Sequence, residues 1–216
     1  MRVLIACEES QAVCKEFRAN GHEAYSCDIL PCSGGHPEWH IQDDAIKVLY
    51  SRKWDLVIAH PPCTYLSNSG IKHLVRKKPT PGFEWYAPFD RYVNWERYGL
   101  MLPSAEFFLQ FLEYEGRIAI ENPIMHRYAQ MIFRRKQDQV IQPWMFGHMQ
   151  QKATCLWLKG LPKLKYTHNV KAEMMNLPYA ERAKVHYESP GPDRAKNRSV
   201  TLPGIARAMA NQWGRP

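Results

Sequence analysis

DLVIAHPPC, residues 55–63, decides the fold. Its apolar run is unbroken and too short for a helix, and Pro61-Pro62 stop it at once, so residues 55–60 read as a strand buried on both faces. Working outward, RVLIAC (2–7) is a second strand of the same kind. A helical pattern through Val13 and Phe17 follows it and ends at Asn20-Gly21. Glu23 to Cys27 then makes a strand that ends at Asp28. Residues 39–53 hold a turn and a helix over DDAIKVLYSRK, with Asp43 as the expected cap. Downstream, residues 70–90 are basic, aromatic and proline-interrupted, and read as a long loop. Residues 92–114 carry helical periodicity interrupted or kinked near Pro103, and RIAIE (117–121) is another buried strand, cut off by Asn122-Pro123. A helix over His126 to Arg135, strands near 139–142 and at 154–158, and a last helix from Pro203 or Gly204 to Trp213 follow.

Strands alternating with helices predict an α/β architecture: a mostly parallel sheet with helices on both faces. Such sheets bind ligands outside the carboxyl ends of their strands, so chemistry is expected just after Cys7, Asp28, His60 and Glu121. The 216 residues suit a single domain over 1–216. A chain of this size buries roughly 70% of its extended surface, enough to fold without a metal or disulfide.

The composition narrows the partners. Lys plus Arg number 29 against 21 Asp plus Glu, a net charge of +8, which favours a polyanion such as nucleic acid. KHLVRKK (72–78) is densely basic, as is the stretch from Arg182 to Arg215; such runs are also ordinary solvated surface. No segment approaches the ~20 apolar residues that span a bilayer, and MRVLIACEES lacks the features of a signal peptide. A cytoplasmic protein without a membrane partner is therefore expected, with its six cysteines reduced. Cys7, Cys14 and Cys155 lie in apolar segments and read as core. Cys27, Cys32, His36 and His40 have ligand types that zinc accepts, but their C-x4-C-x3-H-x3-H spacing in a Gly/Pro loop is not that of a standard finger, and no metal site is assigned.

Two motifs carry chemistry. In HPPCTYLSNSG (60–70) two prolines hold Cys63 immediately after a buried strand, which gives a nucleophile a fixed position at the ligand crevice. Alone, the same pattern also describes a free thiol in a tight turn. In IAIENP (118–123) Glu121 stands at the end of an apolar strand, where desolvation would raise its pKa and let it hold a proton. Alone, it is equally a capping or salt-bridged Glu.

Pro61-Pro62-Cys63 with Leu66-Ser67 and Gly70, followed in chain order by Glu121-Asn122, resembles the DNA cytosine carbon-5 methyltransferases. Leu66 replaces an aromatic residue of that family and Pro123 a Val. GHMQQKATCLWL (147–158) looks like the family's Gln-x-Arg-x-Arg strand, with Gln151 and Lys152 in part of it and the second Arg absent. RSVTLPGIARAMANQW (198–213) resembles its final motif, a turn leading into a helix beside the cofactor. The resemblance implies a Rossmann-like class I methyltransferase fold with a minimal target-recognition region, residues 159–196, and the compact form is similar to small versions carried by bacteriophages, which would act in the host cytoplasm.

The resemblance also implies S-adenosylmethionine as cofactor. Cys7, Glu8 and Ser10 stand where the family has a glycine-rich loop, and this chain has no Gly there. Asp28 suits the ribose hydroxyls, with Ile29 next to it and Asp44 (or Asp43) beside the adenine. His60, Pro61, Ser199 and Val200 complete the expected cofactor set. Ser67, Gln151 and the insert at 71–98 are the expected grip on nucleic acid. In the insert, Lys72, Arg76, Lys77 and Lys78 alternate with Phe83, Trp85, Tyr86, Phe89 and Tyr92, cations for phosphates beside rings for bases. The same rings could instead pack the loop onto the domain.

The implied mechanism adds the Cys63 thiolate to carbon 6 of cytosine while Glu121 holds a proton at ring nitrogen 3. Asn122 orients the base or the loop, and Lys152 completes the catalytic set. Carbon 5 then takes the methyl group, and loss of its proton expels Cys63. Two other functions fit the sequence. The short recognition region suits modification of a free pyrimidine nucleotide, and the glycine-free first loop suits a catalytically silent nucleic-acid-binding protein.

Overall fold

The computed structural model describes residues 1–185, 187–189, 191 and 194–215. The expected recognition segment 159–196 therefore lies partly outside the described residues, at 186, 190, 192 and 193. The chain runs β1 (Arg2–Ala6), α1 (Ala12–Ala19), β2 (Glu23–Asp28), β3 (His40–Gln42), α2 (Ala45–Ser51), β4 (Leu56–Ala59), α3 (Ile71–Leu74), β5 (Val75–Arg76), β6 (Glu84–Tyr86) and β7 (Arg91–Val93). It continues through α4 (Trp95–Glu113), β8 (Ile118–Pro123), α5 (Arg127–Phe133), β9 (Gln139–Ile141), β10 (Thr154–Lys159), α6 (Lys171–Met175), α7 (Tyr179–Arg182), α8 (Arg194–Ser199) and α9 (Pro203–Trp213).

Seven strands form one sheet in the order β3-β2-β1-β4-β8-β10-β9. Neighbours from β3 to β8 are parallel, and β10 alone is reversed against β8 and β9. This is an α/β sheet compatible with a Rossmann-like fold. The chain winds from β1 outward to β2 and β3, then returns to β4 on the other side of β1. The crevice of such a sheet opens at that reversal, between the carboxyl ends of β1 and β4.

Period-two alternation along the strands divides the core between two faces. Leu4, Ala6, Val57, Ala59, Ile118 and Ile120 pack with Leu49 of α2, Phe108 of α4 and Phe133 of α5. Val3, Ile5, Leu56, Ile58 and Ala119 pack with Val13 and Phe17 of α1 and with Ile205, Met209 and Trp213 of α9. Both faces are apolar, so the strands read as continuous hydrophobic runs.

Several expectations need correcting. The cap of α2 is Asp44, whose Oδ1 accepts from the amides of Ile46 and Lys47 at 2.8 and 2.9 Å. Asp43 instead accepts from the Asp44 amide and pairs with Lys47. The turn before α2 contains the edge strand β3. Residues 70–90 are not a plain loop: they hold α3, β5 and β6, and β7 joins these strands in a second sheet of order β5-β7-β6. Pro103 does not divide α4; it lies on the exposed side, where water can satisfy the carbonyl that it leaves unpaired. β8 continues past Glu121 to Pro123, because the reversed strand β10 pairs with it that far (Thr154 opposite Pro123). Among residues 147–158, the strand begins only at Thr154.

If Asp44 is the structural cap, Asp44→Ala costs about 1 kcal/mol of stability in urea unfolding, the usual cost of losing such a cap. An unchanged midpoint would leave the α2 amides to some other acceptor.

Candidate active site at the strand ends

Sheet register brings the site together. Ala6 lies opposite both Cys27 and Ala59, and Ala59 lies opposite Ile120. The ladder continues one step further, with the Glu8 amide donating to Cys27 O at 3.0 Å and the His60 amide to Ala6 O at 2.9 Å. Asp28, Cys7, His60 and Glu121 therefore form one row across the carboxyl ends of β2, β1, β4 and β8. His60 and Glu121 share the pleat face of Ile58 and Ala119, the α1/α9 side.

At the centre of the row, His60 Nδ1 lies 3.1 Å from Glu121 Oε2, with only 11% and 14% of the two side chains exposed. Burial alone would lower the pKa of His60; the bonded Glu121 carboxylate, with Glu8 nearby, reverses this and holds it above its ordinary 6.5. Burial would raise Glu121, but His60, then Lys152 and Thr154, bring it below its ordinary 4.5. The expectation of a Glu121 that holds a proton in the free protein is thereby corrected. Desolvation is real, but His60 one strand away, with Lys152, outweighs it, and the two groups favour each other's charged forms.

Cys63 follows on the prolines. The amides of Leu66 and Ser67 both donate to Cys63 O, at 3.1 and 2.9 Å, closing a tight turn around it. That turn is tied to the segment after β8: the Asn68 amide donates to Ile124 O, the His126 amide to Leu66 O, and His126 Nε2 contacts Tyr65 O at 2.9 Å. Arg97 of α4 donates to Thr64 O at 2.7 Å. A Cβ on Gly70 would come within 2.8 Å of the same guanidinium, so the motif's glycine leaves room for this brace. The Cys63 thiol is half-buried, and burial followed by the Glu121 charge pushes it above its ordinary 9.0, against Lys152 and Arg198. The nucleophile and acid candidates, from two strand ends, thus share one electrostatic site.

A small cleft lined by Glu121, Lys152, Thr154, Thr201, Leu202, Ile205 and Met209 opens beside this pair against α9. Ser199 ends α8 and Val200 is 37% exposed; of the expected final-motif residues, it is their neighbours Thr201 and Leu202 that line the cleft. Arg198 was not singled out from the sequence. Its Nε is buried without a partner and its charge acts on Cys63. A hint lay in the incomplete Gln-x-Arg-x-Arg match, which left one cation to come from elsewhere. Asn122 is fully buried and, one residue along the pleat, lies on the face opposite Glu121; its Nδ2 donates to Pro123 O and its Oδ1 has no partner. That suits support of the loop rather than contact with a base.

The first loop is built without glycine. Cys7 and Gln11 take left-handed backbone at φ 58 and 59, the conformation that glycine usually supplies, at a cost of about 1–3 kcal/mol each. The fully buried Gln11 side chain offsets this by donating to His36 O at 2.8 Å and accepting from the His36 amide at 3.1 Å. Gly34 passes so close that a Cβ there would meet Gln11 at 2.5 Å. Glu8 is buried and accepts from the amides of Val13 and Cys14 at 2.7 and 3.2 Å, occupying the start of α1; burial raises its pKa above 4.5, against His60. Ser10 lies in the same loop, half-buried. Asp28 and Asp44 both act electrostatically on Cys7, whose thiol burial pushes up most of all. Next to Asp28, Ile29 is 72% exposed. A nucleoside at this end would find carboxylates for its hydroxyls and an apolar side chain for its ring.

Of the expected nucleic-acid contacts, Lys72, Lys77 and Lys78 are exposed on the insert and Arg76 stacks over Phe83. Ser67 is buried and bonded to Ser69, so it belongs to the Cys63 turn. The Gln151 amide donates to Arg182 O. Tyr86, Phe89 and Tyr92 pack against neighbouring rings, while Trp85 stays 53% exposed. The Cys27/Cys32/His36/His40 pattern is dispersed: Cys27 donates to Asp43 O, His36 stacks on Trp39, and both ring nitrogens of His40 have partners. Among the described residues no group of three or more His, Cys, Asp or Glu could hold a metal. Nor is any helix among them long and apolar enough to cross a membrane.

Compared with known proteins, the chain matches no protein-family model and no curated protein.

Two outcomes follow from these charges. Removing the Glu121 charge lowers the Cys63 pKa, so Glu121→Gln speeds iodoacetamide labelling of Cys63 at pH 8 severalfold, read by peptide mass spectrometry; a pKa unit is about tenfold in thiolate. An unchanged rate would separate the two groups. The buried pair stabilises the fold between the lowered pKa of Glu121 and the raised pKa of His60. Its contribution fades as pH rises through the folded His60 value and as pH falls through the folded Glu121 value. Glu121→Ala therefore costs about 3 kcal/mol near pH 6 and less at alkaline pH in urea unfolding; a pH-independent cost would deny the pair.

Proposed function

We propose that this chain is an S-adenosylmethionine-dependent methyltransferase acting on carbon 5 of cytosine in DNA. One observation carries the reading: Cys63 and Glu121, from the ends of β4 and β8, share one site in which Lys152 and Arg198 also act on the thiol. A thiol and an acid from neighbouring strand ends, with one cation ahead of β10 and another from α8 acting on the thiol, suit covalent activation of an electron-rich ring.

In this reaction the Cys63 sulfur bonds to carbon 6 of the base, and the ring electrons shift toward nitrogen 3, where Glu121 meets the developing charge. Lys152 and Arg198 favour the thiolate and suit a nucleotide phosphate. Carbon 5, now nucleophilic, is methylated. A base then removes the carbon 5 proton, and the ring electrons expel Cys63. S-adenosylmethionine supplies the electrophilic methyl group. The residues fit its nucleoside end: Asp28 for the ribose, with Ile29 and Asp44 around the adenine. At its amino-acid end, Glu8 would be the residue to hold the ammonium, since its carboxyl already accepts from the first α1 amides.

A cytosine within duplex DNA must first leave the stack, at a cost of about a few kcal/mol. The exposed cations Lys72, Lys77 and Lys78 and the exposed ring of Trp85 suit the strand around such a base. A second reading, methylation of a free pyrimidine nucleotide, draws on how short the elements are in the described part of the recognition segment. Leu164 is buried in the domain core, the Gly147 amide donates to His168 O, and α6 and α7 span only five and four residues.

DNA from cells expressing the protein is expected to gain 5-methylcytosine, and DNA from cells expressing Cys63→Ala to gain none while the variant keeps its circular dichroism spectrum. Wild-type methylation by Cys63→Ala would remove the nucleophile. Methyl transfer to dCMP with none to DNA would favour the second reading.

A further inference from the structure

We propose that His60 is a proton-relaying residue that charges Glu121 for base activation, an inference that rests on the function above for the identity of the final acceptor, ring nitrogen 3. The geometry is local and closed. His60 continues β4 by one residue and stands across the parallel register from Glu121, with Nδ1 and Oε2 at 3.1 Å. Its other ring nitrogen, Nε2, is buried without a partner among the described residues, so no second bond holds the ring to one tautomer or one charge. The groups whose charges act on the imidazole are Glu121 on β8, Glu8 in the loop before α1, and Lys152 ahead of β10. Two carboxyl groups attract its proton and one ammonium repels it.

The proposed reaction needs a proton at ring nitrogen 3, yet the His60 contact and Lys152 favour the carboxylate form of Glu121. In the relay, the His60 Nδ1–H bond breaks as an O–H bond forms on Glu121, leaving a neutral imidazole and a neutral carboxyl. The carboxyl then gives that proton to nitrogen 3 as the sulfur electron pair enters carbon 6. When Cys63 is expelled, nitrogen 3 returns the proton by the same path, and His60 ends the cycle as it began. His60 acts through Glu121 and need not touch the base.

His60→Asn tests this, because the Asn amide can replace the Nδ1–H hydrogen bond but cannot carry the proton. The variant is expected to lose about a hundredfold in kcat with little change in KM for DNA, and to lose the limb of the kcat–pH profile that belongs to the imidazole. Wild-type kcat with a wild-type pH profile would overturn the relay. A second measurement needs no turnover. In 15N-histidine-labelled protein, His60 should be doubly protonated at pH 6 and titrate at lower pH in Glu121→Gln; a neutral His60 at pH 6, or no change in Glu121→Gln, overturns the relay. A wild-type chain that methylates nothing while His60 titrates as expected would refute the function and support the coupled pair.

Discussion

The contact between the His60 imidazole and the Glu121 carboxylate depends on the alignment of two adjacent parallel strands. Ala59 faces Ile120 inside the sheet, and the next residue of each strand is ionisable and meets its counterpart at 3.1 Å. A shift of β4 by one residue would turn His60 to the other face and leave Glu121 without its hydrogen-bonded partner. The apolar runs of β1, β4 and β8, packed by helices on both faces, hold that alignment. Core packing and site electrostatics are thus one constraint: the hydrophobic sheet fixes the register, and the register fixes which charges meet.

From this pair the site extends in two directions. Toward β1 it reaches Glu8, whose carboxyl also holds the first amides of α1. Toward β8 and the loop after β4 it reaches Cys63, held by the prolines and by the bonds between residues 66–68 and 124–126. A change in the charge of Glu121 is therefore felt by the thiol, and a change in the charge of Glu8 by the imidazole.

Much of the architecture could be read from residue order because the buried strands announce themselves. VLIA, LVIA and IAI are unbroken apolar runs, and Asn20-Gly21 and Pro203 bound their helices as their chemistry predicts. What escaped reading depends on tertiary partners. HIQ is a strand only because β2 offers it an edge, and Val75-Arg76 only because β7 does. Two adjacent aspartates compete to cap α2, and only the backbone turn chooses Asp44. Burial was read correctly for Glu121, but its charge state was not, since the deciding cation lies 61 positions away in the chain. Arg198 escaped for the same reason: its effect on Cys63 comes from folding, not from spacing.

The central claim, a covalent bond between Cys63 and a cytosine ring, can be tested by trapping. An oligonucleotide carrying 5-fluorocytosine has no carbon 5 proton to lose, so after methylation the sulfur cannot be expelled. Incubated with this oligonucleotide and S-adenosylmethionine, the protein should gain the mass of the methylated oligonucleotide, with the adduct mapped to the peptide containing Cys63. Absence of an adduct on every cytosine-containing sequence offered, or an adduct on another cysteine, would contradict the account.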